Sequence, residues 1–231
     1  SGTTLLHGIT GSGKTQLYIE LAKSTIAAGR SVIILVPEIA LTSQLIAEFT
    51  PHFPDLHVTH STMTESARHQ VWQSLLGATT PQLVIGPRSA LFSPVPDLGL
   101  IVIDECHEPS FKQEQSPRYS ALRAAARLAQ LAQARLILGS ATPNVADYYL
   151  AKQTNAAIVR LAKPARPSTI TPSVTLVDMT KKLNFTKNNL FSNPMIAAMQ
   201  TTLESDHQVL LFHNRRGTAP STLCEQCGWQ A

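Results

Sequence analysis

The 231-residue sequence contains few cysteines and no long apolar run. Its three cysteines are an odd number and provide no disulfide framework, which is typical of a reducing compartment. Because no run of about eighteen apolar residues occurs, we predict no membrane span and no membrane partner. A basic-then-apolar leader is also absent. We therefore expect a cytoplasmic protein, and the abrupt start at Ser1 leads us to expect an upstream portion.

Charged residues are also scarce, at 15% of the chain, whereas apolar residues make up 43%. This balance is typical of a globular protein and argues against a disordered one. Lys and Arg nevertheless outnumber Asp and Glu, so the formal net charge is +4. A positive charge suits a polyanionic partner such as nucleic acid, although many basic proteins bind none.

A complete phosphate-binding loop is present as the sequence GITGSGKT. In such a loop, glycines let backbone N–H groups turn towards the phosphates, the lysine reaches the outer phosphates and the final hydroxyl ligates magnesium. Taken alone, the pattern can also be a chance glycine-rich turn. The residues that we expect to bind the phosphates of ATP are Gly8, Thr10, Gly11, Ser12, Gly13, Lys14 and Thr15.

An apolar run that ends in two carboxylates, LIVIDECH, follows about ninety residues later. We expect Asp104 to hold the magnesium ion together with Thr15, and Glu105 to polarise the attacking water. His107 can hydrogen-bond towards Ser140 or Thr142 and link hydrolysis to domain movement, or it can be a structural histidine. Together with Lys14, these three residues are the predicted catalytic set.

Strand-like apolar runs alternate with helix-like segments over much of the chain. We predict strands at residues 5–7, 31–36, 57–60, 82–85, 100–104 and 134–138, and helices at residues 15–28, 42–49, 64–76 and 120–132. Repeated strand–helix units imply an α/β fold with a doubly wound, mostly parallel sheet. Because ligands bind beyond the carboxyl ends of such strands, both motifs are placed at one site.

The sequence changes character at residues 163–172, where three prolines indicate a stiff linker after a first domain at residues 1–162. Residues 173–223 start a second α/β unit, with predicted strands at 174–177 and 208–213 and a helix at 193–203. Residues 224–231 contain Cys224 and Cys227, which resemble half of a zinc site. Tetrahedral zinc needs two further ligands, and the chain supplies no later cysteine.

A candidate nucleic-acid loop mixes aromatic and basic side chains just after the carboxylates. Rings in such a loop can stack on bases while cations meet phosphates, which grips a single strand without reading its sequence. Phe111 and Tyr119 can equally be core anchors, and a salt bridge is the alternative for Arg88. Arg215 and Arg216 can touch DNA or form a solvated pair. The predicted DNA-binding residues are Arg88, Phe111, Lys112, Arg118 and Tyr119.

Several blocks of sequence resemble the primosomal replication-restart helicases, the PriA family of superfamily 2 DNA helicases, nearly end to end. The blocks are GITGSGKT, VPEIALT, IGPRSALFSP, IVIDECHE, FKQEQSPRY, LGSATP and HNRRGTAPSTLCEQCGW. The last is the most discriminating, because an Asn-Arg-Arg-Gly strand exit that runs into a Cys pair is peculiar to that family. The resemblance identifies the chain as a helicase-core fragment.

This resemblance implies two RecA-like lobes with ATP in the cleft, a zinc-binding insertion in the second lobe, and DNA across the top of both. It also implies 3′ to 5′ unwinding at stalled or collapsed forks. The implied partners are forked DNA with single-stranded/double-stranded junctions, primosome proteins, single-strand binding protein and the loader of the replicative helicase.

The chain departs from the family pattern at Cys106, where a second acidic residue is expected; we interpret the cysteine as a tolerated substitution. No segment after Ala231 supplies the second-lobe arginine finger, so we expect the isolated piece to bind nucleotide weakly and not to turn it over. Two other hypotheses remain open. The chain can belong to another superfamily 2 nucleic-acid-dependent ATPase, or it can be a non-catalytic DNA-binding fragment.

Overall fold

The computed structural model describes residues 2–40, 43–165, 173–212 and 227. The chain divides into two compact units, Ser1–Thr169 and Ile170–Ala231. The first unit contains the large sheet and both nucleotide motifs. Each unit is described separately below.

The first unit is built on a seven-stranded sheet whose strands all pair in parallel. Its strands are β1 (Gly2–Gly8), β2 (Ser31–Leu35), β3 (Leu56–Val58), β4 (Leu83–Gly86), β5 (Leu98–Ile103), β8 (Arg135–Ser140) and β9 (Ala157–Leu161), and a separate antiparallel pair is formed by β6 (Lys112–Gln113) and β7 (Tyr119–Ser120). The order across the sheet is β3-β4-β2-β5-β8-β1-β9. This arrangement confirms the predicted α/β parallel sheet.

Helices cover both faces of the sheet, as the doubly wound prediction requires. They are α1 (Lys14–Ala27), α2 (Ser43–Phe49), α3 (Glu65–Leu76), α4 (Ala121–Leu131) and α5 (Val145–Gln153). Tyr18 and Phe49 from α1 and α2 join one apolar cluster, whereas Leu75 and Ala125 from α3 and α4 join the other. Because successive strand residues point to opposite faces, strands β1, β2, β4, β5 and β8 each contribute to both clusters.

The central strands are buried on both sides, which explains their unbroken apolar sequence. Ile33 of β2 lies in register with Ile101 of β5, and each is fully buried.

Helix ends follow local capping rules as well. The Thr64 hydroxyl accepts a hydrogen bond from the Ala67 N–H at 3.2 Å and so starts α3 at the predicted cap.

The predictions lack helix α5, the edge strand β9 and the short antiparallel strands β6 and β7. β9 pairs in parallel with β1 and carries the charged residue Arg160 within its short apolar run. A short run of this kind gives a weak strand signal from sequence, because its pairing partner is far away in the chain.

In the second unit, α6 (Asn193–Glu204) is capped by the Ser192 hydroxyl, which accepts from the Met195 N–H at 3.4 Å. The predicted helix is therefore present. Residues 174–177 and 208–212 form no strand, so the strands predicted there are wrong as far as the structure describes them. None of the helices in the described residues is long and apolar enough to cross a membrane.

Candidate functional site

The phosphate loop joins the end of β1 to the start of α1. Gly11 and Gly13 have positive φ angles of 72° and 84°, which side chains other than glycine rarely adopt, and Gly13 is the N-cap of α1. A Cβ added at Gly8 would lie 2.7 Å from Ser12 Oγ. The backbone at Gly8 therefore passes close to the Ser12 side chain, and the loop directs the amino end of a 14-residue helix towards the site.

Polar groups of this loop are suited to bind phosphate. Lys14 is only 9% exposed, and its Nζ donates to the Gly8 carbonyl oxygen at 2.9 Å. The buried Ser12 hydroxyl has no hydrogen-bond partner within the described part of the chain. Because buried polar groups are normally paired, this donor fits a site that a phosphate oxygen completes.

The two carboxylates lie at the carboxyl end of β5, between β2 and β8. The Asp104 N–H donates to the Leu35 carbonyl oxygen at 2.8 Å, and the Tyr18 hydroxyl donates to Asp104 Oδ1 at 2.8 Å. Burial raises the pKa of the Asp104 carboxyl, although the hydrogen bond from Tyr18 opposes that shift. Glu105 follows with a positive φ of 46°, a rare conformation that often accompanies function.

The structure brings Lys14 and Glu105 together. Lys14 Nζ lies 3.9 Å from Glu105 Oε1, although the two residues are far apart in sequence. Lys14 follows β1 and Glu105 follows β5, so both lie beyond the carboxyl ends of parallel strands, as predicted. A cation and a carboxylate thus lie close together at this edge of the sheet.

His107 makes the predicted contact with the neighbouring strand. Its Nδ1 lies 2.7 Å from Ser140 Oγ, which also accepts from the Thr142 N–H at 2.9 Å. The same Nδ1 lies 3.5 Å from Glu105 Oε2. The predicted hydrogen bond towards Ser140 is therefore confirmed, and the histidine links the carboxylate loop to the segment after β8.

Thr15 and Asp104 present the ligand types that magnesium prefers. Magnesium is usually held by one or two carboxylates together with substrate phosphates. No group of three or more His, Cys, Asp or Glu side chains arranged for a metal is found in the described residues. One hydroxyl and one carboxylate fit an ion whose remaining ligands come from nucleotide and water.

Three of the candidate nucleic-acid residues, Arg88, Phe111 and Tyr119, line a cleft of about 470 Å³ at the same edge of the sheet. Arg88 Nη1 donates to the carbonyl oxygens of Ser110 at 2.7 Å and Lys112 at 3.3 Å, and Lys112 itself is exposed. Arg118 Nε donates to the Glu114 carbonyl oxygen at 3.0 Å. These contacts hold the loop, and no salt bridge of Arg88 is found among the described residues.

The two aromatic residues of the loop differ in exposure. Tyr119 is half-buried and packs edge-on against the exposed Phe92, with ring centroids 5.4 Å apart. Phe111 is 2% exposed and belongs to an apolar core cluster. The expectation that the Phe111 ring stacks on a base is therefore corrected: its surface is already covered by protein, and the core alternative describes it.

Two of the three cysteines, Cys106 and Cys227, lie in the part of the chain that the structure describes. Cys224, Arg215 and Arg216 lie outside the described residues, and Cys227 is exposed. Cys106 is a buried residue of the core, and its burial, with nearby carboxylates, raises the pKa of the thiol to about 12. A thiol held protonated in this way is a poor nucleophile, consistent with a tolerated substitution.

Sequence reasoning missed Tyr18 and Gly139, which meet at the Asp104 carboxylate. A Cβ at Gly139 would lie 1.8 Å from the Tyr18 hydroxyl oxygen. Two sequence features could have indicated them: a tyrosine on the buried face of α1 and a glycine near the end of a strand. Tyr18 belongs to no motif, and the LGSATP block that contains Gly139 does not indicate its partner.

Comparisons with known proteins agree with this arrangement. The sequence model of the DEAD/DEAH box helicase family matches residues 2–149. "Replication restart protein PriA" of Bacillus subtilis (strain 168) is 37% identical over 97% of this chain and 28% of its own length. The protein of the same name from Haemophilus influenzae is 40% identical over 98% of this chain and 30% of its own length. The chain thus spans less than a third of these relatives, and the resemblance indicated by the motifs is confirmed.

Solved structures support the fold alone. One is Mss116p DEAD-box helicase domain 2 bound to an RNA duplex, at 13% identity and a TM-score of 0.51, covering 69% of this chain and 64% of that one. Another is DUF1998 helicase MrfA bound to DNA and AMPPNP, at 19% identity and a TM-score of 0.51, covering 73% of this chain and 26% of that one.

Proposed function

The chain belongs to the DEAD/DEAH box helicase family, and from that premise we propose that it is the ATP-hydrolysing core of a DNA helicase that restarts replication. The proposed protein moves 3′ to 5′ at stalled or collapsed forks and assembles a primosome there. The observation that carries the proposal is the short distance of 3.9 Å between Lys14 Nζ and Glu105 Oε1, next to Asp104 at the carboxyl edge of the sheet.

The reaction that we propose for Lys14, Asp104 and Glu105 is transfer of the γ-phosphoryl group from ATP to water. In the proposal, Lys14 leaves the Gly8 carbonyl oxygen to pair with the outer phosphates, and the N–H groups of the loop bind the same charge. Thr15 and Asp104 hold magnesium, which when bound neutralises charge on the phosphate oxygens. Glu105 orients the attacking water and accepts its proton.

Hydrolysis is coupled to movement through His107 in this proposal. The hydrogen bond to Ser140 connects the residue that follows the carboxylates to the end of β8. When the γ-phosphate is lost and Glu105 moves, His107 passes the movement to Ser140 and the residues that follow it. A contact of this kind can bias a larger rearrangement.

DNA is the proposed track, and Arg88, Lys112, Arg118 and Tyr119 are its proposed contacts. Basic groups bind phosphates of any sequence, and the half-buried ring of Tyr119 adds stacking. The relatives described above are replication restart proteins, and the helicase MrfA was solved bound to DNA. Primosome proteins, single-strand binding protein and the loader of the replicative helicase are the proposed protein partners, in the cytoplasm.

Zinc is proposed for the full-length protein, with Cys224 and Cys227 supplying half of the ligands. Tetrahedral zinc needs two more, which this chain does not contain after Cys227. We also propose that the isolated 231-residue chain binds nucleotide weakly and does not turn it over, because the second-lobe arginine finger lies elsewhere. DNA-stimulated ATP hydrolysis by the isolated chain would contradict that part.

A forked-DNA unwinding assay on the full-length protein tests the proposal, with Lys14→Ala as the inactivating variant. Lys23→Ala is the matched control, because Lys23 lies on the same helix and forms an exposed ion pair with Glu20. We expect ATP-dependent unwinding that Lys14→Ala abolishes and Lys23→Ala retains. Unwinding without a preference for forks would favour another nucleic-acid-dependent ATPase. DNA binding without unwinding would favour a non-catalytic fragment.

A further inference from the structure

We infer that Tyr18 is a positioning residue for magnesium, acting through the Asp104 carboxylate. The inference rests on the proposed function, because it concerns the same nucleotide site. Tyr18 belongs to none of the motifs described above. It lies one helical turn after Thr15 on α1, so both residues are on the same side of that helix.

The contact between Tyr18 and Asp104 is short and shielded from solvent. The Tyr18 side chain is 2% exposed, and its hydroxyl donates to Asp104 Oδ1 at 2.8 Å. A hydrogen bond to a charged acceptor in such surroundings is directional, so it fixes the orientation of the carboxylate. An aspartate has two rotatable side-chain torsions, and this bond limits both.

Gly139 makes the contact possible. The glycine lies in β8, next to β5, and any Cβ there would stand 1.8 Å from the Tyr18 hydroxyl oxygen and 3.4 Å from Asp104 Oδ1. The Gly139 carbonyl oxygen also accepts from the Cys106 N–H at 2.9 Å, which fixes the backbone just after the carboxylates. One strand residue thus leaves room for the hydroxyl and anchors the loop.

These contacts hold Asp104 before any ion arrives. Its backbone is tied to Leu35, its carboxylate to Tyr18, and the following turn to Gly139. Groups that orient a metal ligand are typically worth about 10- to 100-fold in metal affinity or activity. If Tyr18 only filled space, Tyr18→Phe would leave the magnesium dependence of binding unchanged, since a phenylalanine ring packs almost equally well.

The experiment measures equilibrium binding of a fluorescent, non-hydrolysable ATP analogue to the full-length protein while magnesium is titrated. Tyr18→Phe removes only the hydroxyl, and Tyr149→Phe is the control because Tyr149 is 63% exposed on α5. We expect Tyr18→Phe to raise the magnesium concentration at half-saturation about 10-fold or more, with unchanged binding of the analogue in the absence of magnesium. Excess magnesium should restore binding, and Tyr149→Phe should match the wild type.

A second variant, Gly139→Ala, keeps the hydroxyl but displaces it, so it should shift the magnesium midpoint in the same direction. Thermal unfolding of each sample shows whether the variant is folded at the assay temperature. An unchanged magnesium midpoint in folded Tyr18→Phe, or an equal loss of binding with and without magnesium, would overturn the inference. If the wild type bound no nucleotide at all, the proposed function itself would be wrong, and the inference with it.

Discussion

Replacing the aromatic residues of the candidate nucleic-acid loop one at a time separates a core role from a DNA-binding role. Phe111 is 2% exposed in an apolar cluster that also contains Ala121 and Ala125. Truncation of a buried phenylalanine to alanine costs about 3–5 kcal/mol, from lost burial and the remaining cavity. In a domain of this size each kcal/mol lowers Tm by about 2–4 °C, so Phe111→Ala should lower Tm by about 6–20 °C.

Tyr119→Ala should give the opposite pattern. Tyr119 is half-buried, so its truncation should change Tm much less. Loss of one base–aromatic stack costs about 1–3 kcal/mol, which corresponds to about 5- to 150-fold weaker binding of single-stranded DNA. Tyr149→Ala is the control for an exposed ring away from the loop. Melting curves and DNA-binding titrations in the full-length protein test both variants.

A Phe111→Ala variant with wild-type Tm and weakened DNA binding would refute this reasoning. That result would mean that the ring is available to a base and that the buried position does not describe the DNA-bound protein. A Tyr119→Ala variant with unchanged DNA affinity would remove the proposed stacking contact from the loop.

Two further predictions concern stability and reactivity. Arg30 Nη2 donates to the carbonyl oxygens of Leu98 at 2.6 Å and Ala132 at 2.8 Å. Arg30→Ala should therefore lower the free energy of unfolding in urea by about 2–4 kcal/mol, whereas the surface variant Arg127→Ala should be nearly neutral. Equal effects of the two variants would contradict this prediction. Because burial raises the pKa of the Cys106 thiol from 9.0 to about 12, Cys106 in the folded protein should resist alkylation near pH 9, and the protein should lose stability as the pH rises from there towards 12. Rapid labelling of Cys106 in the folded protein, read by mass spectrometry, would show the pKa shift to be wrong.

The nucleotide site was predictable from sequence because its chemistry is local and its topology is simple. The phosphate loop and the carboxylate run each follow an apolar strand, and parallel strands end at one edge of a sheet. This alone predicts that Lys14 and Glu105 meet, as the structure confirms. The contact of His107 with Ser140 followed from the same rule, applied to the neighbouring strand.

The contacts that support the site were not predictable in this way. Tyr18 and Gly139 meet because α1 packs against β2 and β5 and the Tyr18 hydroxyl reaches the neighbouring strand β8, and no spacing along the chain indicates that packing. The core position of Phe111 was likewise left open, since an aromatic residue in a loop can point inwards or outwards. The predicted strands at residues 174–177 and 208–213 relied on short apolar runs, and such runs form strands only when a partner strand satisfies their backbone groups.

In the proposed function Glu105 serves hydrolysis while Lys14 and its loop serve binding, and the variant Glu105→Gln in the full-length protein separates these two roles. The measurement is ATP turnover with saturating single-stranded DNA, alongside binding of magnesium and the ATP analogue, with the exposed Glu48→Gln as control. We predict that Glu105→Gln binds nucleotide like the wild type and loses turnover by about 100-fold or more. Wild-type turnover in Glu105→Gln would contradict the account.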